Sequence, residues 1–94
     1  MIKKEKVEGK DKGDIMLYAL STCVWCRRTK QLLKDLGVSF SYIYVDLLEE
    51  DDKDEIMEKI EKWNPRLSFP TIIFRKEKCI TGFKEEEIKK ELNK

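Results

Sequence analysis

The sequence predicts an α/β fold in which a mixed four-stranded sheet is flanked by three helices, in the order β-α-β-α-β-β-α. A continuous apolar run at residues 15–20 fits a central strand that is buried on both faces. Apolar residues at helical spacing follow it, as in a parallel crossover unit. Two short β-rich runs, at residues 71–74 and 79–81, are close enough in the chain to form an antiparallel hairpin.

The first half of the chain predicts one strand–helix–strand unit. Ser21 and Thr22, which follow the apolar run, are a helix-start signal. The helix is expected to end at Gly37, because glycine readily adopts the left-handed conformation that closes many helices. Residues 38–46 then alternate between two sets of apolar side chains, which is the pattern of a second strand.

The second half predicts two helices, one on either side of the hairpin. Acidic residues from Asp51 onward suit the first turn of a helix, where the macrodipole favours negative charge. This helix is expected to end before Pro65, because proline disfavours a helical conformation in the residue that precedes it. Ile88 and Leu92 are four residues apart and indicate a short amphipathic terminal helix.

The length of 94 residues suits a single domain. Residues 1–14 are polar and lack periodicity, so we expect a flexible N-terminal tail there and a domain at residues 15–94. We expect this domain to act as a monomer.

Charge and hydropathy argue against several classes of function. The chain has 20 Lys and Arg and 19 Asp and Glu, a net charge of +1, so no broad attraction to nucleic acid or to an acidic membrane is expected. No apolar run approaches the roughly 18 residues that a membrane span needs. The charged start lacks the apolar region of a secretory signal. We therefore expect a cytoplasmic protein, in a compartment where structural disulfides are rare.

Cys23 and Cys26 are the candidate catalytic residues. They lie where the first strand passes into the first helix, and the unpaired N–H groups and macrodipole of a helix start stabilise negative charge. Arg27, Arg28 and Lys30 add positive charge nearby. A thiolate at Cys23 would therefore be stabilised, and the thiolate is the nucleophile of disulfide exchange. The spacing is just under one helical turn, so Cys26 can resolve the mixed disulfide that Cys23 forms.

Two other interpretations of the pair are weaker. A structural zinc site normally needs four Cys or His ligands, and the chain has no His and one further cysteine, so no metal site is predicted. Two inert buried cysteines are disfavoured by the strand–motif–helix context. The third cysteine, Cys79, is expected to be structural, because a free cysteine usually behaves as a small buried hydrophobe. A regulatory thiol is the alternative if Cys79 is exposed.

The chain resembles the glutaredoxin family, within the thioredoxin-like superfamily, from about Ile15 to Leu92. Three motifs carry the resemblance: Cys23-Val24-Trp25-Cys26 after the first strand, Ser68-Phe69-Pro70-Thr71 before the third, and Thr81-Gly82-Phe83 after the fourth. At the last two places the family has a Thr-Val-Pro segment and a Gly-Gly turn. The resemblance implies a thioredoxin/glutaredoxin-like fold and a dithiol redox activity.

The resemblance also implies a set of substrate-binding residues. In the family, the proline that matches Pro70 is cis and faces the dithiol, which leaves the backbone of Phe69 free to pair with a bound peptide or thiol tripeptide. An ordinary turn proline before a strand is the alternative. Trp25 would form an apolar wall beside the thiols, pack on the core, or do both. The expected substrate- or thiol-binding residues are Trp25, Arg27, Arg66, Phe69, Pro70, Gly82 and Phe83.

The chain departs from the family at positions that bear on the electron donor. Leu20 stands where glutaredoxins usually have a lysine that helps to bind the glutathione carboxylate, and Thr81-Gly82 replaces Gly-Gly. These changes weaken the case for tight glutathione binding. Arg66 either supplies a compensating positive charge or is a solvated loop residue. The Gly82-Phe83 pair is similar to the corresponding residues of the ribonucleotide-reductase-associated redoxins. Those proteins act like thioredoxin and are reduced by a flavoprotein reductase.

The sequence therefore predicts a thiol–disulfide oxidoreductase that acts on disulfide-containing proteins or mixed disulfides. No cofactor is required, and the electrons are expected to come from glutathione, another low-molecular-weight thiol or a flavoprotein reductase. An iron–sulfur cluster carrier on the glutaredoxin fold is the alternative, since thiolates are the preferred ligands of such clusters. Dedicated carriers usually have a single active cysteine, so Cys26 counts against it. A non-catalytic interaction domain, in which Cys23 would be dispensable, is the third hypothesis.

Overall fold

The computed structural model describes residues 2–93. The elements are β1 (Glu5–Val7), β2 (Ile15–Ala19), α1 (Val24–Asp35), β3 (Phe40–Tyr44), a 3₁₀ turn (Val45–Leu47), α2 (Glu50–Trp63), β4 (Thr71–Phe74), β5 (Lys78–Thr81) and α3 (Glu85–Leu92). From β2 onward, the order of strands and longer helices is the order that the sequence predicts.

One mixed sheet organises the molecule, with the strand order β1-β3-β2-β4-β5. β2 pairs in parallel with β3, where Leu17 lies opposite Tyr42, and antiparallel with β4, where Leu17 lies opposite Ile72. β4 and β5 form the predicted antiparallel hairpin. β2 therefore has a neighbour on each side, as the continuous apolar run predicted for a central strand.

The sheet has five strands rather than the predicted four. The added strand, β1, pairs antiparallel with β3, and it comes from the segment predicted to be a flexible tail. Farther along, the Lys10 N–H donates to the Gly37 carbonyl oxygen at 2.8 Å, and the Lys10 carbonyl oxygen accepts from the Ser39 N–H at 2.9 Å. The prediction of a flexible tail is wrong for these residues, because backbone pairing at a sheet edge needs no apolar pattern in the sequence. The domain boundary before β2 stays a prediction.

Two apolar cores lie on opposite faces of the sheet. Successive side chains of a strand point to opposite faces, so Leu17 of β2 joins one core and Tyr18 joins the other. The first core also contains Leu33 of α1 and Ile88 of α3, and the second contains Ile60 of α2. The helices thus cover both faces of β2, at whose end the cysteine pair lies.

Two turns show how far local signals reach. α1 ends as predicted, with Gly37 at a φ of +71°, a conformation that glycine adopts without steric cost. The β4–β5 turn instead places Arg75 and Lys76 at φ values of +52° and +56°, where Asn or Gly is usually found. Among residues 2–93, no helix has both the length and the apolar character that crossing a bilayer requires.

Candidate functional site

The cysteine pair lies at the junction between β2 and α1. After the end of β2, the Cys23 N–H donates to the Leu20 carbonyl oxygen at 3.2 Å, which turns the chain into the helix. Cys23 is the N-cap residue of α1, and its Sγ accepts a hydrogen bond from the Cys26 N–H at 3.2 Å. The structure therefore brings the two predicted cysteines together within the first helical turn.

The two cysteines differ in their access to solvent. Cys23 is half-buried, whereas Cys26 is 1% exposed and belongs to the core between the sheet and α1. The Cys26 Sγ also accepts a hydrogen bond from the Leu20 N–H at 3.5 Å. A disulfide that approaches from solvent can reach Cys23, and Cys26 lies behind it.

The surroundings of Cys26 favour its protonated form. Burial raises the pKa of Cys26 to about 12, and its hydrogen bond to Cys23 acts in the same direction. The negative charges of Cys23 and Asp46 add to this effect, while the Leu20 N–H opposes it. At neutral pH, Cys26 is therefore a neutral thiol beside the Cys23 sulfur.

The charges around the start of α1 divide into two groups. The first turn of α1 contains no acidic residue that would oppose the positive potential of the helix start. Arg27 and Arg28 are exposed on this side of the helix. The Lys30 Nζ is directed to β3 instead, where it donates to Tyr44 Oη at 3.2 Å and lies 4.0 Å from the Tyr42 ring centroid. The two arginines, rather than Lys30, are therefore the side-chain cations that remain for the dithiol surface.

Asp46, which the sequence did not single out, anchors the loop that precedes Cys23. Its carboxylate accepts hydrogen bonds from the Ser21 N–H at 2.8 Å and from the Ser21 Oγ at 2.5 Å. Burial opposes ionisation of Asp46, but the hydrogen bonds from Ser21, together with the backbone N–H of Asp46 and the charge of Lys53, outweigh it, so the pKa of Asp46 is lowered. The two residues are 25 positions apart, and no local pattern in the sequence could have indicated the contact.

The other two motifs of the resemblance lie at the same end of the sheet. Thr71 at the start of β4 pairs with Tyr18 near the end of β2, which places the preceding loop beside the dithiol loop. The Phe69–Pro70 peptide bond in that loop is cis, as the resemblance implies. The Gly82 N–H donates to the Pro70 carbonyl oxygen at 2.8 Å, and Gly82 has a φ of +82°.

An aromatic pair links α1 to the segment after β5. The rings of Trp25 and Phe83 are stacked, with centroids 5.7 Å apart and an interplanar angle of 29°. Trp25 is 53% exposed, and the Arg28 guanidinium carbon lies 5.1 Å from its ring centroid. Trp25 is therefore not a buried core residue, and most of its indole faces solvent next to the two cysteines.

The remaining expected residues are less closely tied to the pair. Arg27 and Arg66 are exposed, and in the described part of the chain neither guanidinium group makes a hydrogen bond or an ion pair. Cys79 lies on β5, at the edge of the sheet, and is half-buried. Burial raises the pKa of Cys79, which favours the inert thiol form.

Comparison with known proteins identifies relatives of this chain. The glutaredoxin family model matches residues 15–80. A glutaredoxin-like 8.6 kDa protein encoded in the rubredoxin operon of Clostridium pasteurianum is 32% identical over 80 residues, which are 85% of this chain and 99% of that protein. Two other curated relatives, glutaredoxin-C1 of Arabidopsis thaliana and glutaredoxin-1 of Sus scrofa, are each 28% identical and match 65% and 74% of this chain. The chain spans only 47% and 66% of their lengths.

Solved structures confirm the predicted thioredoxin/glutaredoxin-like fold. Methanoredoxin from Methanosarcina acetivorans is 52% identical with a TM-score of 0.89, and the match covers 92% of this chain and 90% of that one. A glutaredoxin from Methanosarcina mazei Go1 is 50% identical with a TM-score of 0.90, over 97% and 88% of the two chains. NrdH-redoxin from Escherichia coli, described as a glutaredoxin-like protein with a thioredoxin-like activity profile, is 26% identical with a TM-score of 0.68, over 82% and 92%.

Proposed function

Because the chain belongs to the glutaredoxin family, we propose that it is a thiol–disulfide oxidoreductase that reduces protein disulfides or mixed disulfides through Cys23 and Cys26. The observation that carries this proposal is the geometry of the pair. A half-buried Cys23 Sγ at the start of α1 accepts the Cys26 N–H at 3.2 Å, and the buried Cys26 lies behind it. This difference in exposure supports Cys23 as the attacking sulfur and Cys26 as the resolving one.

The first step takes place at Cys23. The N–H groups and the macrodipole at the start of α1 stabilise a thiolate there, and this thiolate attacks one sulfur of the substrate disulfide. The substrate S–S bond breaks, and its other sulfur leaves as a thiolate that takes up a proton from water. Cys23 and the remaining substrate sulfur are then joined in a mixed disulfide.

The second step takes place at Cys26. Its thiol gives its proton to water and attacks the Cys23 sulfur, which releases the remaining substrate sulfur as a thiolate that takes up a proton from water in turn. The products are a reduced substrate and a Cys23–Cys26 disulfide, so two electrons have passed from the protein to the substrate. The raised pKa of Cys26, which is due chiefly to burial, keeps this thiol protonated before the mixed disulfide forms. Formation of the mixed disulfide removes the negative charge of Cys23, which is one of the lesser causes of the raised pKa.

The substrate is proposed to bind over the surface formed by the three motifs. Phe69 contacts a peptide through its backbone, as an added strand. Trp25 and Phe83 supply an apolar face beside Cys23, and Pro70 and Gly82 keep the loop in place through their 2.8 Å hydrogen bond. The exposed Arg27 and Arg66 would attract acidic groups of the substrate or of a small thiol. The proposed substrate- or thiol-binding residues are Trp25, Arg27, Arg66, Phe69, Pro70, Gly82 and Phe83.

A separate reductant returns the disulfide to the dithiol. The similarity to NrdH-redoxin and the Leu20 in place of the usual lysine favour a flavoprotein reductase as electron source. Glutathione or another low-molecular-weight thiol is the alternative, and Arg66 is the residue that would then pair with its carboxylate. No metal or organic cofactor takes part in the proposed reaction, and we propose that it takes place in the cytoplasm.

Disulfide reduction assays with defined variants test the proposal. The rate of reduction of a protein disulfide is measured first with glutathione and its reductase, and then with NADPH and a thioredoxin reductase. Reduction in only one of the two systems identifies the class of electron donor. Cys23→Ser should abolish the reaction, and Cys26→Ser should accumulate a mixed disulfide that mass spectrometry detects. Cys79→Ser is the matched control and should keep the rate. Unchanged turnover by Cys23→Ser would show that the proposal is wrong.

A further inference from the structure

Asn64 is a buried residue at the start of the loop that carries Phe69. It follows the last residue of α2, and its N–H donates to the Ile60 carbonyl oxygen at 2.7 Å. Asn64 is 5% exposed. Its side-chain Nδ2 lies 3.0 Å from the Ser68 carbonyl oxygen, 3.1 Å from the Ser68 Oγ and 3.1 Å from the Thr71 Oγ1. A single amide group therefore reaches three acceptors across the loop.

Other hydrogen bonds hold the same segment. The Thr71 Oγ1 donates to the Ser68 carbonyl oxygen at 2.8 Å, so this oxygen accepts from two buried side chains. The Leu67 N–H donates to the Asn64 carbonyl oxygen at 2.9 Å. Leu67 has a φ of +53°, which a residue with a side chain rarely adopts, and this local contact compensates for it. The position of the Ser68 carbonyl oxygen is thus fixed from both ends of the loop.

Phe69 follows this fixed carbonyl and has free peptide groups of its own. Across residues 2–93, neither the N–H nor the carbonyl oxygen of Phe69 makes a hydrogen bond. The Ser68–Phe69 peptide bond is trans, since Phe69–Pro70 is the cis bond of the described chain. In a planar trans peptide, the carbonyl and the N–H point in opposite directions, so fixing the Ser68 oxygen also fixes the direction of the Phe69 N–H.

We propose that Asn64 is a positioning residue that orients the Phe69 N–H toward the backbone of a bound peptide. The inference rests on the proposed function, in which Phe69 contacts the substrate through its backbone. It adds a distinction between substrates. A disulfide that is flanked by peptide groups depends on Asn64, whereas a small disulfide without peptide groups does not.

Steady-state kinetics with two disulfides test this distinction. The first is an oxidised peptide with several residues on each side of its cystine, and the second is bis(2-hydroxyethyl) disulfide. Asn64→Ala should raise KM for the peptide about tenfold with little change in kcat, which corresponds to the loss of one well-oriented hydrogen bond. For the small disulfide, kcat/KM should stay within about twofold, because only uniform binding of the peptide backbone has been removed.

Further variants separate positioning from loss of the fold. Asn64→Ser retains a donor and should recover part of the KM for the peptide, and Asn93→Ala is the control at an exposed asparagine. Thr71→Val keeps the side-chain shape but removes the second donor to the Ser68 carbonyl oxygen, so it should also raise KM for the peptide. This variant provides the test if Asn64→Ala does not fold. Equal losses on both disulfides, or an unchanged KM for the peptide, would overturn the inference. Failure of the wild-type protein to reduce either disulfide would contradict the proposed function instead.

Discussion

At the scale of single residues, two cysteines three positions apart differ in solvent exposure because they occupy different positions at the start of one helix. Cys23 precedes the first helical residue, so its sulfur faces the unpaired N–H groups of the first turn and accepts a hydrogen bond from one of them. Cys26 lies within the first turn on the buried side of the helix, where burial raises its pKa. The same chemical group is thereby accessible at one position and protected and protonated at the other.

Trp25 is predicted to contribute to the binding of protein substrates. Trp25 is 53% exposed, and its contacts with Phe83 and Arg28 limit the motion of the indole, so it presents a rigid apolar face beside Cys23. Trp25→Ala should raise KM for a protein disulfide about fivefold and change kcat little, because an exposed aromatic contact is lost in both the ground state and the transition state. Steady-state kinetics in which the reduced protein substrate is detected measure KM and kcat.

The control for this prediction is another exposed apolar residue on the same helix. Leu36 is 38% exposed and follows the last residue of α1, at the opposite end from the cysteines. Leu36→Ala should leave KM unchanged. If both substitutions raise KM equally, the effect is one of general surface hydrophobicity and the role given to Trp25 is wrong.

At the scale of elements, the sequence predicted the features that depend on neighbouring residues. The apolar run of β2, the glycine that ends α1 and the cysteines at the start of that helix all have local causes, and the structure confirms these elements. The features that were missed depend on distant contacts. β1 exists through backbone pairing with β3, and the bond between Ser21 and Asp46 joins two loops that no periodicity connects.

The anchoring of the dithiol loop by Asp46 leads to a prediction about stability and about Cys26. Asp46→Asn removes the charge that accepts two hydrogen bonds from Ser21, and should lower the free energy of unfolding by about 1–2 kcal/mol. The pKa of Cys26 should fall as well, because the negative charge of Asp46 contributes to raising it. Denaturant unfolding measures the first effect, and the ultraviolet absorbance of the thiolate against pH measures the second.

A carboxylate elsewhere on the dithiol helix provides the control. Asp35 is exposed at the end of α1 and accepts a hydrogen bond from Gln31 at 2.9 Å. Asp35→Asn should leave the pKa of Cys26 unchanged and reduce stability by less than Asp46→Asn. An equal effect of the two substitutions on the Cys26 titration would contradict the prediction.

The edge strand β1 is predicted to add stability without contributing to the redox site. It pairs with residues 40–42 of β3, whereas the dithiol follows the other end of β2, beyond Ala19. Deletion of residues 2–7 removes this pairing and the contact of Val7 with the core, and should lower the free energy of unfolding by about 1–2 kcal/mol. Disulfide reduction should keep its rate at temperatures where the shortened chain is folded. Loss of cooperative unfolding would show that the domain begins before residue 15.

At the scale of the whole molecule, the site is assembled from three segments that are distant in the sequence. The sheet order places β4 beside β2 and β5 beside β4, so the dithiol loop, the loop before β4 and the residues after β5 meet at one end of the sheet. The hydrogen bond between Gly82 and Pro70 and the stacking of Phe83 on Trp25 then join these segments. The geometry around the two sulfurs therefore depends on the complete fold.

This dependence makes the ionisation of Cys26 part of the stability of the reduced protein. Its pKa is raised from 9.0 to about 12 in the folded state, chiefly by burial, so folding favours the neutral thiol. Below pH 9 both states keep the proton and the contribution is fully present. Between about pH 9 and pH 12 the unfolded chain loses the proton first, so stability falls as the pH rises.

Denaturant unfolding at stepped pH in excess reductant, compared with Cys26→Ala, measures this contribution. The free energy of unfolding should decline more steeply in the wild-type protein than in the variant over the alkaline range, and the two slopes should agree near neutrality. The pKa of Tyr18 is also raised, first by burial and then by the charge of Asp14. Tyr18 is present in both proteins, so the difference between the slopes isolates Cys26. Parallel slopes up to pH 12 would mean that the fold does not favour the protonated Cys26, and this thiol would then ionise as readily in the folded protein as in the unfolded chain.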